Sequence, residues 1–464
     1  MIVLKFGGAA LANTKLGKNT ISIIEQVKSE RPIVVVSAMR DVTNILENWL
    51  RDALDKNFSQ EKSPLRLLRE KHEEVLHDLV DQEEIKEDLS KALNYRLAEL
   101  DTLLSSVANL RECTPKCRAH ALSFGERFSA RGLAGILNDK GIKAQHIDSR
   151  QIVRTDSKYL NASVDWVESR KLLRKTLLPL VDHGVLPVVT GFIGADEEGN
   201  TTTLGRGGTD LTAALIANCL DAKEVRYYKE VEGFLSADPS LVEGGRHIEQ
   251  MTYDEVAELS FFGAKILHPI AIRPLREKGI PASLRSFFAP NEAGTIVCDE
   301  APEAGMNSWA LTSLKNVALV TVEGAGIFDN ADIAARVFAA TAKASASVLM
   351  ISQSSSERNI YFVVPEQELK KVQLSLEKDL ELDLIKGAVE KIDAKPGLSI
   401  VCAVGRSLRS HPEMGATFLS ALAREKIEVH LLAWGGSLLN LSCVVKMERL
   451  EVAINSIHSA LSET

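Results

Sequence analysis

Gly205-Arg206-Gly207-Gly208-Thr209-Asp210 is the stretch from which the fold can be read outward. Leu211, Ala214, Leu215 and Cys219 follow it at the spacing of one helix face. A glycine-rich loop at a helix N-terminus offers backbone N–H donors and the positive end of the helix dipole, which together make an anion site. This one also carries Arg206 and Asp210. Around it the first half of the chain alternates apolar, strand-like runs with helical stretches, the pattern of a mostly parallel sheet covered by helices. Residues 32–37 (PIVVVS) and 185–190 (VLPVVT) read as buried strands. Residues 64–109 are highly charged, with Leu65, Leu68, Val75, Leu76 and Leu79 at helical spacing, and read as helices with a solvated outer face.

The composition sets the class. The 464 residues are 45% apolar and 25% charged, which is ordinary globular usage and excludes a collagen-like or wholly disordered chain. The formal net charge of −8 provides no overall positive field for nucleic acid or anionic lipid, so neither is expected as a partner. The six cysteines read as reduced thiols, and Cys113 and Cys117 lack a second Cys or His pair to complete a zinc site, so no metal ligands are assigned. Met1 to Gly8 (MIVLKFGG) enters a strand at once with no leader-like region, and no apolar run reaches the ~20 residues needed to span a bilayer. A cytoplasmic location is the expectation.

Residues 299–305 (DEAPEAG) are acidic and turn-prone, which predicts a first domain over 1–298 and a linker over 299–310. Beyond it the chain repeats. Residues 317–324 (VALVTVEG) match the stretch ending at Gly405, and 358–364 (RNIYFVV) match 439–445 (LNLSCVV). Gly324 to Gly405 and Asn359 to Asn440 are both 81 residues apart, so the copies align without a gap. Each reads strand, turn, helix (333–344 and 414–424), strand, turn, strand, helix, the ferredoxin-like βαββαβ unit, with copies expected over 311–390 and 391–464.

Three features point to phosphate chemistry. Lys5 and the Gly7-Gly8 pair end the first strand, where backbone amides can approach a phosphate closely. The second is the loop at 205–208, and the third is 262–269 (FGAKILHP), where Lys265 supplies another cation ahead of Pro269. No GxxxxGK[ST] and no GxGxxG after a strand occurs, so the phosphates are held in some other way.

Six motifs in order then make the resemblance specific: KFGG at 5–8, VVVSAMRDVTN at 34–44, SFGERFSAR at 123–131, TTTLGRGGTDLTAAL at 201–215, GFLSADP at 233–239 and FGAKILHP at 262–269. Over nearly its whole length the chain resembles the aspartate kinases of the amino-acid kinase family. Its repeated half, with VEGAG at 322–326, IAARVFAA at 333–340 and ISQSSSE at 351–357, resembles their tandem ACT domains. The implied fold is α/β: an amino-acid kinase fold with a mostly parallel central sheet, followed by two ferredoxin-like ACT domains. The implied reaction is ATP- and Mg2+-dependent phosphorylation of the L-aspartate side chain, the first step of lysine, threonine and methionine biosynthesis. Feedback by threonine or lysine and a homodimer or larger assembly are implied with it.

Carried over residue by residue, Lys5 and Lys265 would neutralise the transferring phosphoryl group, and Asp210 would orient them. Thr43, Glu126 and Arg206 would hold the substrate amino acid. Gly7, Gly8, Ser37, Gly207, Gly208, Lys229, Glu230 and Asp238 would border the nucleotide. Asp332, Gln353 and Asn359 would contact an effector in copy one, whereas Trp434 and Leu438 replace Gln353 and Glu357 in copy two, which is therefore expected to pack rather than bind. Some positions depart from the family pattern: Ala9 and Ala10 stand where hydroxyls are usual, Lys229-Glu230 where Thr-Asp is usual, Ser240 where Arg is usual, and Arg285-Ser286-Phe287-Phe288 lacks the usual Asn-Thr. These departures leave two alternatives open, a catalytically weak or inactive amino-acid-binding paralogue and a kinase for another acidic amino acid.

Overall fold

The computed structural model describes residues 1–55, 64–264, 266–292, 294–299, 308–324, 331–353 and 359–463. They fall into two compact units. The first is drawn from Met1–Phe234, Glu249–Tyr253 and Ile266–Glu300, and the second from Leu235–Ile248, Asp254–Lys265 and Ala301–Thr464.

In the first unit the elements run β1 (Ile2–Phe6), α1 (Thr14–Gln26), β2 (Pro32–Val36), α2 (Val42–Asp52), α3 (Leu65–Leu79), α4 (Glu83–Leu110), α5 (Pro115–Leu122), α6 (Phe124–Asp139), β3 (Ala144–Ile147), α7 (Trp166–Asp182), β4 (Leu186–Thr190), β5 (Ile193–Ala195), β6 (Thr201–Thr203), α8 (Gly208–Leu220) and β7 (Val225–Lys229). Further along the chain come β8 (Phe234–Leu235), β9 (His247–Ile248), β10 (Gln250–Met251), α9 (Tyr253–Phe261), α10 (Pro269–Arg276), β11 (Ala282–Ser286) and β12 (Thr295–Val297), of which β9 and most of α9 fall in the second unit.

The central sheet has eight strands in the order β10-β12-β11-β7-β1-β2-β4-β3, and every pairing is parallel except β11 with β12. Every residue of β1, β2 and β4 is buried, as expected for strands covered on both faces. The sequence-predicted strands and the helices over 64–109 are present, the latter as α3 and α4 with Leu68, Val75, Leu76 and Leu79 inward.

Side-chain alternation sorts β1. Ile2, Leu4 and Phe6 join Val34, Val36 and Val188 in one apolar cluster with Leu97, Phe124 and Leu133 of the helices. Val3 and Lys5 therefore face the other side, which α8 covers; all thirteen residues of α8 are buried. The chain leaves β1 for β2 on one side and returns to β7 on the other. Such a reversal of strand order opens a crevice at the carboxyl ends of the strands, the usual ligand position in an open α/β sheet.

The second unit contains β13 (Ala310–Glu323), α11 (Ala331–Lys343), β14 (Met350–Ser352), β15 (Asn359–Pro365), α12 (Leu369–Asp379), α13 (Glu381–Lys386), β16 (Lys391–Val404), α14 (Ser407–Ser410), α15 (Glu413–Arg424), β17 (Leu431–Trp434), β18 (Asn440–Lys446) and α16 (Leu450–Ser462). Its strands form one antiparallel sheet, β14-β15-β13-β16-β18-β17. Two cores lie along it. Ala318, Val320 and Val322 pack with Ile333, Val337, Phe362 and Leu376, whereas Trp309 and Leu311 pack with Val401, Phe418, Cys443 and Ile457. The long strand β13 is thus shared: its second half belongs to copy one and its first half closes copy two. The change-over carries a register shift between Leu314 and Val317, with Asn316 left-handed at φ 58°.

Candidate active site

Lys5 lies near the carboxyl end of β1, in register with Val35 on β2 and Tyr227 on β7. It is 5% exposed, and an ammonium so far from water costs several kcal/mol unless it is paired. Asp210 pairs it, with Oδ1 2.7 Å from the Lys5 Nζ. Asp210 occupies the first turn of α8, where the helix dipole favours an anion. A second ammonium reaches the same carboxylate: Lys229 Nζ, at the end of β7, donates to Oδ2 at 3.1 Å and to Oδ1 at 3.3 Å. Tyr227, between the two lysines on that face, donates its hydroxyl to the Asp210 carbonyl at 3.3 Å.

The electrostatics follow from burial and these charges. Burial pushes Lys5 down to about 8, with Asp210 opposing the shift and Lys229 adding to it. Burial alone would raise Asp210, but Lys5 and Lys229 outweigh it and hold the carboxyl at about 2. The trio is a carboxylate shared by two ammoniums.

The glycine-rich loop lies beside it. Gly207 is left-handed at φ 76°, and a Cβ there would meet the His268 Cβ at 2.4 Å, so the position requires glycine on both counts. No side chain caps α8; the Gly208 N–H donates to the Gly205 carbonyl at 3.0 Å, and the turn places the start of the helix at the pocket. Ser37, just past β2, donates to the Thr209 hydroxyl at 3.0 Å. Gly8 lets the turn after β1 approach the next loop: its carbonyl accepts from Arg40 N at 2.8 Å, and a Cβ would stand 3.0 Å from the Ala38 carbonyl oxygen.

Glu126, in the first turn of α6, is 4% exposed, and its Oε2 has no hydrogen-bond partner. Burial pushes it up to about 8, against the pull of the Ala38 and Glu126 main-chain N–H groups and of Lys5. A buried carboxyl with one oxygen unmet calls for a cationic or donor partner.

One pocket of about 560 Å³ is lined by Lys5, Ser37, Thr43, Glu126, Arg206, Gly207, Gly208 and Asp210 together with Phe192, Gly205 and Thr209. Thr43 lies within the first turn of α2, whose N-cap is Asp41. Phe192, Thr209 and, behind Gly207, His268 are site residues that the sequence reading did not assign. Thr209 adjoins Asp210 and His268 lies in a quoted motif, but the contact of His268 with Gly207 exists only in three dimensions.

Other expected site residues are not among those lining this pocket. Glu230 forms an ion pair with Arg40, and both are about half exposed. Asp238 belongs to the second unit, where it accepts from the Ser240 N–H at 2.9 Å and the Ser240 hydroxyl at 2.7 Å. Lys265 lies outside the described residues. In copy one, Asp332 accepts from Arg336 at 2.8 Å, Asn359 donates to the Tyr361 hydroxyl at 2.8 Å, and Gln353 is exposed just past β14. In copy two the Trp434 ring lies against Gly415, where a Cβ would meet it at 2.5 Å.

Among the described residues no cluster of three or more His, Cys, Asp or Glu could hold a metal. The carboxylates lining the pocket are Glu126 and Asp210, and Asp210 already holds two ammoniums. The residues described thus fit a polyanion better than a resident metal ion. No helix among the described residues is long and apolar enough to cross a membrane.

The amino acid kinase family model matches residues 1–286, and an ACT domain model matches 320–380 and 401–461. The chain is 32% identical over 98% of its length to the bifunctional aspartokinase/homoserine dehydrogenase 1 of Arabidopsis thaliana, a chloroplastic protein, and spans about half the length of that relative and of similar ones. It is 31% identical to the chloroplastic aspartokinase 3 of the same plant, covering 100% of this chain and 82% of that one. The E. coli aspartokinase III complex with aspartate and ADP superposes with a TM-score of 0.84 at 27% identity, covering 100% of both chains, and the complex of that protein with lysine and aspartate gives 0.79 over 99% of both. With its parallel sheet, its lysine and aspartate at the sheet's carboxyl edge and its duplicated C-terminal half, the chain belongs to the amino acid kinase family, in the aspartokinase group that carries C-terminal ACT domains.

Proposed function

We propose that the chain is an ATP-dependent aspartate kinase that moves the terminal phosphoryl group of ATP to the side-chain carboxylate of L-aspartate, giving 4-phospho-L-aspartate and ADP. The observation that carries this reading is the convergence of Lys5, Asp210, Glu126 and Arg206 on one pocket. A substrate carboxylate of pKa near ~4 is already ionised at neutral pH, so the reaction needs no general base. What it needs is two anions brought together and their charge offset.

The residues suit those tasks. Glu126, with an unmet buried oxygen, takes the α-ammonium of aspartate. Arg206 offers a guanidinium fork to a carboxylate, and Thr43 a hydroxyl. Lys5, held by Asp210, faces the transferring phosphoryl group, with Lys265 assigned to the same task by its motif. Gly7, Gly8, Gly207 and Gly208 and the Ser37 hydroxyl border the phosphates, and Lys229 and Glu230 border the nucleotide. The bound nucleotide's own Mg2+ would supply further charge neutralisation. The kinase domain is assigned to 1–298 and the ACT copies to 311–390 and 391–464, with the residues of β13 up to Leu314 lent to copy two. An amino-acid effector, threonine or lysine, binds copy one at Asp332, Gln353 and Asn359. The enzyme works in the cytoplasm as a homodimer or larger assembly, at the head of lysine, threonine and methionine synthesis.

A coupled ADP-release assay on the purified chain tests the reaction. ADP release is expected to require aspartate and to yield an acyl phosphate that hydroxylamine traps as the hydroxamate. Nucleotide binding without hydroxamate would overturn it in favour of a non-catalytic binding protein, and a preference for glutamate or N-acetylglutamate would change the acceptor.

A further inference from the structure

Two ammoniums share Asp210, and they are not equivalent. The Lys5 side chain is 6% exposed and stands within a strand flanked on both sides, so its ammonium is fixed. Lys229 ends its strand, is 21% exposed, and makes the longer contacts. If it leaves, Asp210 keeps its partner at 2.7 Å. The trio carries one net positive charge, and the remaining carboxyl lining the pocket, Glu126, is pushed up to about 8 and so is largely neutral at pH 7. The turn after β1 adds no side-chain donor, because the buried residues there are Ala9 and Ala10. Glu230, the acidic neighbour of Lys229, is engaged by Arg40.

Resting on the nucleotide reading above, we propose that Lys229 is an exchangeable counter-ion. It pairs with Asp210 as observed and passes to the terminal phosphate when a nucleotide binds, so that Lys5 and Lys229 flank the phosphoryl group together. Four methylenes let its ammonium turn between two anions without moving the strand. The exchange exposes no bare charge, since Lys5 stays with the carboxylate and the phosphate receives the ammonium. Lys229 thereby supplies the cationic contact that the alanines at 9 and 10 do not.

The test is calorimetry on the full chain, comparing Lys229→Met and Lys229→Arg with the wild type for ATP, AMP, tripolyphosphate and aspartate. ATP and tripolyphosphate affinity is expected to fall at least tenfold in Lys229→Met, AMP and aspartate affinity to stay within twofold, and Lys229→Arg to recover most of the loss. A merely structural role predicts equal losses for ATP and AMP, and that outcome, or no loss at all, overturns the proposal. Wild type that binds tripolyphosphate but not ATP keeps the role of Lys229 and sinks the nucleotide reading. Wild type that binds neither overturns both.

Discussion

Lys5 Nζ and Asp210 Oδ1 lie 2.7 Å apart with both side chains less than a tenth exposed, so removing either one leaves the other's charge buried. The loss is not symmetrical, because Asp210 also holds Lys229. Asp210→Asn strands two ammoniums, whereas Lys5→Met leaves the carboxylate with one partner. Breaking a buried pair costs about 3 kcal/mol or more. Urea unfolding is therefore expected to show a larger loss for Asp210→Asn than for Lys5→Met; the reverse order would contradict the shared-carboxylate arrangement. With phosphoryl positioning lost, kcat of Asp210→Asn should fall by about 10²–10³.

Aspartate binding should release a proton. Burial holds Glu126 at about 8 against an ordinary 4.5, so it is mostly protonated at pH 7 and must ionise to pair with an ammonium. Titrations in buffers of different ionisation enthalpy should register close to one proton released at pH 7 and little at pH 9, with none in Glu126→Gln. The sign for stability is also set. The folded group binds a proton that the unfolded one has lost, so its contribution is full below pH 4.5 and declines until the folded carboxyl ionises near 8. Glu126→Gln should therefore gain on the wild type as the pH rises from 5 to 8 in the absence of ligand.

Lys5 sets the alkaline limit. It sits at about 8 against an ordinary 10.5, so nucleotide affinity should weaken as the pH passes 8 in the empty protein. Stability moves the other way: the unfolded lysine binds the proton more tightly, and the resulting penalty shrinks as the pH rises from 8 towards 10.5. An ATP affinity that stays flat from pH 7 to 10 would show that the Lys5 charge is not what the nucleotide meets.

Gly207→Ala adds a left-handed backbone cost of roughly 1–2 kcal/mol to a contact of 2.4 Å with the His268 Cβ. The loop must move, and the amides at the start of α8 move with it. Tripolyphosphate affinity should drop at least tenfold, while Gly199→Ala, also left-handed but with nothing within 4 Å, should cost stability alone.

Leu311→Ala should loosen copy two and spare copy one. Leu311 opens the stretch expected for copy one, in the part of β13 before the register shift, yet it packs with Val401, Phe418 and Ile457. Truncating a buried leucine costs about 2–5 kcal/mol. Hydrogen exchange should accelerate in α15 and α16 before α11 and α12; the opposite order would mean that the first half of β13 serves copy one.

The class of fold and the main motifs around the pocket can be read from the order of residues. Fully apolar strands separated by helices specify a parallel sheet, because only burial on both faces tolerates such runs. The glycine loop and Lys5 were legible because each sits at an element end where its chemistry has few other uses, whereas the roles of Glu126 and Arg206 came from the resemblance of their motifs. The 81-residue repeat likewise announced two similar halves. Tertiary structure alone decided the partnerships. Nothing local places Lys229 on Asp210 nineteen residues away, sets His268 behind Gly207, or couples Glu230 to Arg40. It also decided that residues 310–314 complete the copy farther along the chain, since strand pairing depends on which edges meet and not on the order in which they are synthesised.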